Sequence, residues 1–217
     1  MRRHKVLIVT LAAGIAFLMA VGVTFGSDAL IKLPPPDMEG GMPLMKALKE
    51  RKTSREFSDK KLTDKQLSNL LWAAFGINRQ DSGKRTAPSA MNGQEIAVYV
   101  ALPEGLYLYE AKEHDLKLIV EKDIRAATGM QKQAGESPVS LIYVADFGQM
   151  KMGAKEDKIM YSAADTGFIS QNVYLYCASE GLATYVRGAI DRTALAKEMK
   201  LSKGQNIILA QSVGYPK

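Results

Sequence analysis

Val139-Ser-Leu-Ile-Tyr-Val-Ala145 is the stretch on which the fold turns. It is a near-continuous apolar run, the pattern of a strand covered on both faces. Working outward toward the N-terminus, Ile96, Val98 and Val100 alternate with smaller or more polar residues, which predicts a second strand. Pro103-Glu-Gly105 is a turn, and Leu106 to Glu110 returns from it as the other arm of a hairpin. On the C-terminal side, Met160 to Glu180 is the longest helical stretch, and Gly181 stops it. Ala183 to Arg187 and Asn206 to Val213 predict two more strands, with a short helix from Thr193 to Met199 between them. Earlier in the chain, Leu44, Ala47 and Leu48 share one face of a helix that starts at Pro43 and stops near Lys52. Thr63 and Gln66 form a capping box. They open a helix with Leu67, Leu70, Leu71 and Ala74 at i, i+3, i+4 and i+7. The order predicts an α+β domain, with helices flanking a largely antiparallel or mixed central sheet.

The chain has 217 residues, roughly one domain plus an N-terminal leader. Arg2, Arg3 and Lys5 precede an uncharged apolar run from Val6 to Phe25, the order of an export signal. The run is also long enough to span a bilayer, so residues 1–26 are either a signal peptide cut before Ser27 or an uncleaved membrane anchor. Either places the remainder outside the cytoplasm, periplasmic or held at the outer face of the membrane. Residues 27–42, with Pro34, Pro35, Pro36, Gly40 and Gly41, form an extended spacer arm. Residues 43–217 form the functional domain.

The formal charge of +6 halves once Arg2, Arg3 and Lys5 are set aside. Lys and acidic residues alternate without a basic stripe interleaved with aromatics, so no nucleic-acid partner is expected. Cys177 is the sole cysteine and His4 and His114 are the sole histidines, which argues against a metal site or a Cys/His couple. His114 lies among charges in Glu113-His-Asp115 and is expected to be exposed. Cys177 is expected to be a small core residue. No G-x-x-x-x-G-K-S/T, G-x-G-x-x-G or G-x-S-x-G segment occurs.

Two segments carry more. Arg51-Lys-Thr-Ser-Arg55, followed by Phe57, places three cations and two hydroxyls at a helix end. Guanidinium groups donate paired bonds to an anion, and a hydroxyl adds a neutral donor. The same composition equally describes a basic helix end that complements the helix dipole. Pro88-Ser-Ala-Met-Asn-Gly-Gln94 is a stiffened loop in which Asn92 both donates and accepts, as reading a heterocycle's imide edge requires.

Together these segments resemble the FMN-dependent nitroreductase family. The resemblance continues in Asp165 to Gly181 with Gln171-Asn172, in Gly181-Leu-Ala-Thr and in Val213-Gly-Tyr-Pro216, and covers Pro43 to the C-terminus. It implies an intertwined homodimer with two FMN sites at the subunit interface. By that resemblance, Arg51, Lys52 and Thr53 hold the phosphate and ribityl side, and Arg55 lies near the pyrimidine edge. Pro88, Ser89, Ala90 and Asn92 come from the partner, and Val186-Arg187-Gly188 passes beside the isoalloxazine ring. No side chain is catalytic and no metal is involved, because the flavin carries the chemistry.

The chain departs from the family in ending at Lys217, short of a cationic tail, and in placing Arg187 where relatives have an acid. The latter shifts the expected substrate preference toward anions. The implied activity is two-electron, ping-pong transfer to a flat conjugated acceptor such as a nitroaromatic or quinone. NAD(P)H is a possible donor, and an exported domain would instead draw on a membrane or secreted donor. The alternatives are an azoline-type peptide dehydrogenase on the same fold and an exported, non-catalytic flavin- or ligand-binding module.

Overall fold

The computed structural model describes residues 30–151 and 153–217. The leader, 1–26, lies outside the described residues. The elements in chain order are β1 (Leu30–Lys32), α1 (Leu44–Glu50), α2 (Asp64–Phe75), β2 (Ile77–Arg79) and β3 (Lys84–Arg85). Next come β4 (Ile96–Leu102), β5 (Gly105–Glu110), β6 (Asp115–Val120), α3 (Gln133–Glu136) and β7 (Val139–Asp146). The chain finishes with α4 (Lys155–Glu180), β8 (Ala183–Arg187), α5 (Arg192–Glu198) and β9 (Gln205–Gly214).

Seven strands form one sheet in the order β1-β6-β5-β4-β7-β9-β8, every pairing antiparallel. β7 lies between β4 and β9, and both faces of it are covered. Leu141, Tyr143 and Ala145 pack with Leu70, Leu71, Phe75, Ile169 and Val173 from α2 and α4. Ile142 and Val144 pack on the opposite side with Leu195, Met199 and Ile207. A strand with period 2 and cover on two sides must be apolar throughout. That accounts for the run from Val139 to Ala145.

The Thr63 capping box forms as predicted, with Gln66 N donating to Thr63 Oγ1 (3.2 Å) and Thr63 N to Gln66 Oε1 (3.0 Å). α4 begins at Lys155, five residues before the expected start, because Asp157 accepts from Ala154 N and supplies the N-terminal cap. It ends at Gly181, whose φ of 67° suits glycine. The predicted hairpin gains a third strand, β6, which continues the same meander. The predicted loop from Asn78 to Gln94 contains the short β2–β3 pair and a 3-10 turn, Ala90–Asn92.

The spacer arm is more integrated than a linker. β1 pairs with β6 at the sheet edge, Ser68 Oγ donates to Pro34 O (2.5 Å), and Asp37 N donates to Asn69 Oδ1 (2.8 Å). Its prolines cannot donate, yet their carbonyls still accept, so α2 holds the arm down.

His114 is also placed differently from expectation. It is partly buried, its Nε2 bonded to Ser68 Oγ (2.8 Å) and its Nδ1 to Tyr109 OH (2.9 Å). Cys177 is fully buried between α4 and the sheet, where burial pushes its thiol well above the usual range. Among the described residues no helix is long and apolar enough to cross a membrane, and no group of three potential metal ligands occurs.

Candidate flavin site

α1 stops at Arg51, where ψ turns to 119° and the chain becomes extended. Ser54 N donates to Thr184 O of β8 (3.0 Å) and Ser58 N to Tyr215 O just past β9 (2.9 Å), which fastens the segment to both strands' ends. Phe57, buried and stacked on Tyr185 with ring centroids 6.0 Å apart, anchors its end. Alternate residues of an extended chain share a side. Arg51 lies over the Tyr174 ring (5.4 Å), Thr53 Oγ1 is 3.2 Å from Tyr174 OH, and Arg55 lies over the Tyr185 ring (5.6 Å). Among the described residues neither guanidinium makes an ion pair. Lys52 and Ser54 instead line a separate cleft of about 560 Å³ beside the C-terminal end of α4. Within this chain, then, the backbone alternation divides Lys52 from Arg51 and Thr53.

Tyr174 was not among the residues singled out from sequence. Its hydroxyl accepts from Val186 N (3.1 Å) while meeting Thr53, so it ties the basic segment to β8. The signal was available. Tyr174 stands at i+7 from Gly167 and i+3 from Gln171, on the same helical stripe.

The loop Pro88–Gln94 is held in an unusual backbone form. Met91, Asn92 and Gln94 have φ of 51°, 54° and 47°. For non-glycine residues such conformations persist only where neighbours impose them. Here Asp165 Oδ2 accepts from Ala90 N (2.9 Å), Ser89 Oγ from Gln94 N (3.0 Å), and Gln94 Oε1 from Arg85 Nε (2.8 Å). Asn92 Oδ1 accepts from Gln94 Nε2 (3.2 Å), which aims a side chain that remains exposed. The arrangement spends several bonds on presenting Pro88, Ser89, Ala90 and Asn92 at the surface.

The basic segment meets α4 at Tyr174, and the loop meets it at Asp165. Nine helical residues separate these points by about 13 Å and about two and a half turns, so they point about 180° apart. One chain therefore offers the two sets on opposite sides of its own helix.

Arg187 is a correction. Its guanidinium is buried, donating to Thr128 O (2.9 Å), Ser212 Oγ (2.6 Å), Ser140 Oγ (3.1 Å) and Thr128 Oγ1. Gly129 makes room: a Cβ there would lie 2.5 Å from Arg187 Nε. The side chain fills the interior and presents no charge to a substrate, so the expected preference for anions does not follow from it. Gly188 is exposed beside it, its carbonyl accepting from Arg192 Nη1 (3.2 Å).

An antiparallel sheet with one long helix across it, a basic segment along an edge strand and a clamped polar loop define the class. Residues 48–215 match the model of the nitroreductase family, and the chain belongs to that family, an oxidoreductase family. A candidate nitroreductase of Methanocaldococcus jannaschii is 28% identical over 178 residues, covering 77% of this chain and 89% of the relative. The solved structure of a candidate nitroreductase from Ralstonia eutropha JMP134 is 46% identical, with a TM-score of 0.83, covering 87% of this chain and 90% of that one. An FMN reductase [NAD(P)H] of Bacillus subtilis is 23% identical over 159 residues, and the match spans 68% of this chain but only 54% of the relative.

Proposed function

We propose that this chain is an FMN-dependent oxidoreductase that works as a homodimer and passes two electrons to a flat conjugated acceptor. The observation that carries the reading is the alignment of Arg51, Thr53 and Arg55 on one side of an extended segment, with no carboxylate among the described residues answering either guanidinium. Unpaired cations held in place beside a hydroxyl suit a phosphate. Arg51 and Thr53 hold the phosphate and ribityl side. Arg55, farther along the segment, sits where a cation stabilises negative charge on a reduced ring.

The opposite-sided presentation on α4 supports the dimer. A two-fold axis beside the helix brings Pro88, Ser89, Ala90 and Asn92 of one copy toward Arg51 of the other. The α4 surface suits burial against a second copy: Ile159, Met160 and Phe168 are exposed, beside the small Ala163, Ala164 and Gly167. FMN would supply two-electron redox chemistry when held here. The chain's residues bind, orient and tune. Asn92 would meet the ring edge, and the Val186–Gly188 backbone would border the ring. On the reading of residues 1–26 as an export leader, the donor is a membrane or secreted reductant; NAD(P)H serves a domain that stays in the cytoplasm.

The visible absorption spectrum of the purified protein tests this reading, with identification of the released cofactor. About one FMN per chain is expected. Arg51→Ala should weaken FMN binding roughly tenfold to a hundredfold, since a charge-assisted bond contributes about 1.5–3 kcal/mol. A protein that cannot be loaded with FMN overturns the reading, and unchanged affinity in the variant overturns the phosphate assignment.

A further inference from the structure

Against the loop Pro88–Gln94 lies a cavity of about 290 Å³ whose lining includes Ala90, Asn92, Gly93, Glu95 and Lys151. Glu95 is 1% exposed, and no N–H or O–H among the described residues donates to either of its carboxyl oxygens. Its close neighbour is Asp165 from α4, itself 2% exposed and an acceptor like Glu95. The Ser162 hydroxyl beside them donates to Met150 Sδ (3.4 Å). The other charged group on this cavity is Lys151, exposed on the loop after β7. Asp146, at the end of β7, turns its carboxylate into its own loop, accepting from Gly148 N (2.9 Å) and Gln149 Nε2 (3.3 Å).

Two carboxyl groups buried together cannot both carry charge without a cation between them. A proton solves the problem and turns one of two acceptors into a donor. Burial first, and then the Asp165 charge, raises the Glu95 carboxyl above its ordinary range; burial raises Asp165 as well. Asp165 is at the same time the group that accepts from Ala90 N and keeps the turn closed. Glu95 lies beside the same turn, since a Cβ at Gly93 would be 3.3 Å from its Oε2.

We infer that Glu95 and Asp165 hold a single proton between them, and that this proton is the latch keeping Pro88–Gln94 in its flavin-facing form. The inference rests on the reading of that loop as part of the FMN site. With the proton in place, Asp165 bonds to Glu95 on one side and to Ala90 on the other. When it leaves, two buried charges face each other and the pair separates. Ala90 then loses its acceptor, and the left-handed backbone at Met91, Asn92 and Gln94 relaxes. Both carboxyls are positioning residues.

Carbon-13 NMR titration of carboxyl-labelled full chain, alongside FMN affinity from pH 6 to pH 9, tests the latch. One carboxyl should titrate above the ordinary carboxylate range, and Glu95→Gln should remove that titration. Above it, FMN affinity of the unaltered chain should fall by up to about tenfold per pH unit. Glu95→Gln, whose amide donates to Asp165 at any pH, should show a flat profile. Asp165→Asn, which accepts from Ala90 and donates to Glu95, should be flat too, so the test survives if one variant folds poorly. Titration of both carboxyls in the ordinary range, as a Lys151–Glu95 ion pair would give, overturns the latch. So do parallel pH profiles in the unaltered chain and both variants. A raised titration in a chain that takes up no FMN at any pH overturns the flavin reading and leaves the shared proton standing.

Discussion

Arg187 enters the interior with four hydrogen bonds and, among the described residues, no ion pair. Its neighbours are hydroxyls and a carbonyl, which satisfy the donors without cancelling the charge, and the Tyr185 ring lies 5.3 Å from the guanidinium carbon. Burial works against that charge and lowers the guanidinium's proton affinity. Arg187→Ala leaves a cavity and strips Ser140, Ser212 and Thr128 of their donor. Urea denaturation should register a loss of about 3 kcal/mol or more. His114 is a second residue whose surroundings decide its behaviour. Burial holds its proton affinity below the ordinary histidine value, so the unfolded chain binds a proton more readily than the folded one. Stability conferred by neutral His114 is complete above about pH 6.5 and declines as pH falls below it. His114→Asn, which tolerates the φ of 54° found there, should flatten that slope in pH-dependent thermal melts while lowering stability overall.

Elements are placed by their ends as much as by their faces. α2 begins where Thr63 and Gln66 satisfy each other, and its buried face carries Leu67, Leu70, Leu71 and Ala74 onto the sheet. Thr63→Ala should lower stability by about 1 kcal/mol, read as a shift in the urea midpoint at unchanged slope. α4 has a different role. Its inner residues Ile169, Val173 and Cys177 are buried in the core, Asp165 clamps the loop, and Tyr174 receives the basic segment. The basic segment itself is neither helix nor sheet strand. Its extended course comes from Ser54 and Ser58 bonding to the C-terminal strands, and that course decides which cations converge.

At the scale of the whole molecule, one helix meets the Pro88–Gln94 loop and the basic segment on opposite sides, and an apolar stripe from Ile159 to Phe168 lies exposed beside them. Phe168, 49% exposed at the C-terminal end of that stripe, is the residue on which to test the proposed assembly. Phe168→Glu should leave the monomer folded, shift sedimentation toward a single chain and remove FMN together with the dimer. FMN retained by a monomer would locate the site within one chain.

What the sequence determined by itself was local or periodic. The all-apolar β7, the Leu stripe and cap of α2, the glycine stop of α4 and the pairing of β4 with β5 each follow from backbone geometry acting over a few residues. The convergence of Arg51, Thr53 and Arg55 without Lys52 was not local, since the extended course that sorts them depends on bonds to Thr184 and Tyr215. Tertiary structure decided whatever depends on contacts between distant segments. Leu30–Lys32 became a strand because β6 was there to pair with it, and His114 left solvent because Ser68 and Tyr109 offered bonds. Arg187 turned inward toward hydroxyls from β7 and β9, with Gly129 making room. Glu95 and Asp165, 70 positions apart in the chain, met because α4 crosses the sheet beneath the loop. Burial is a property of the assembled chain, and a charge acquires its chemistry only when the assembled chain takes water away from it.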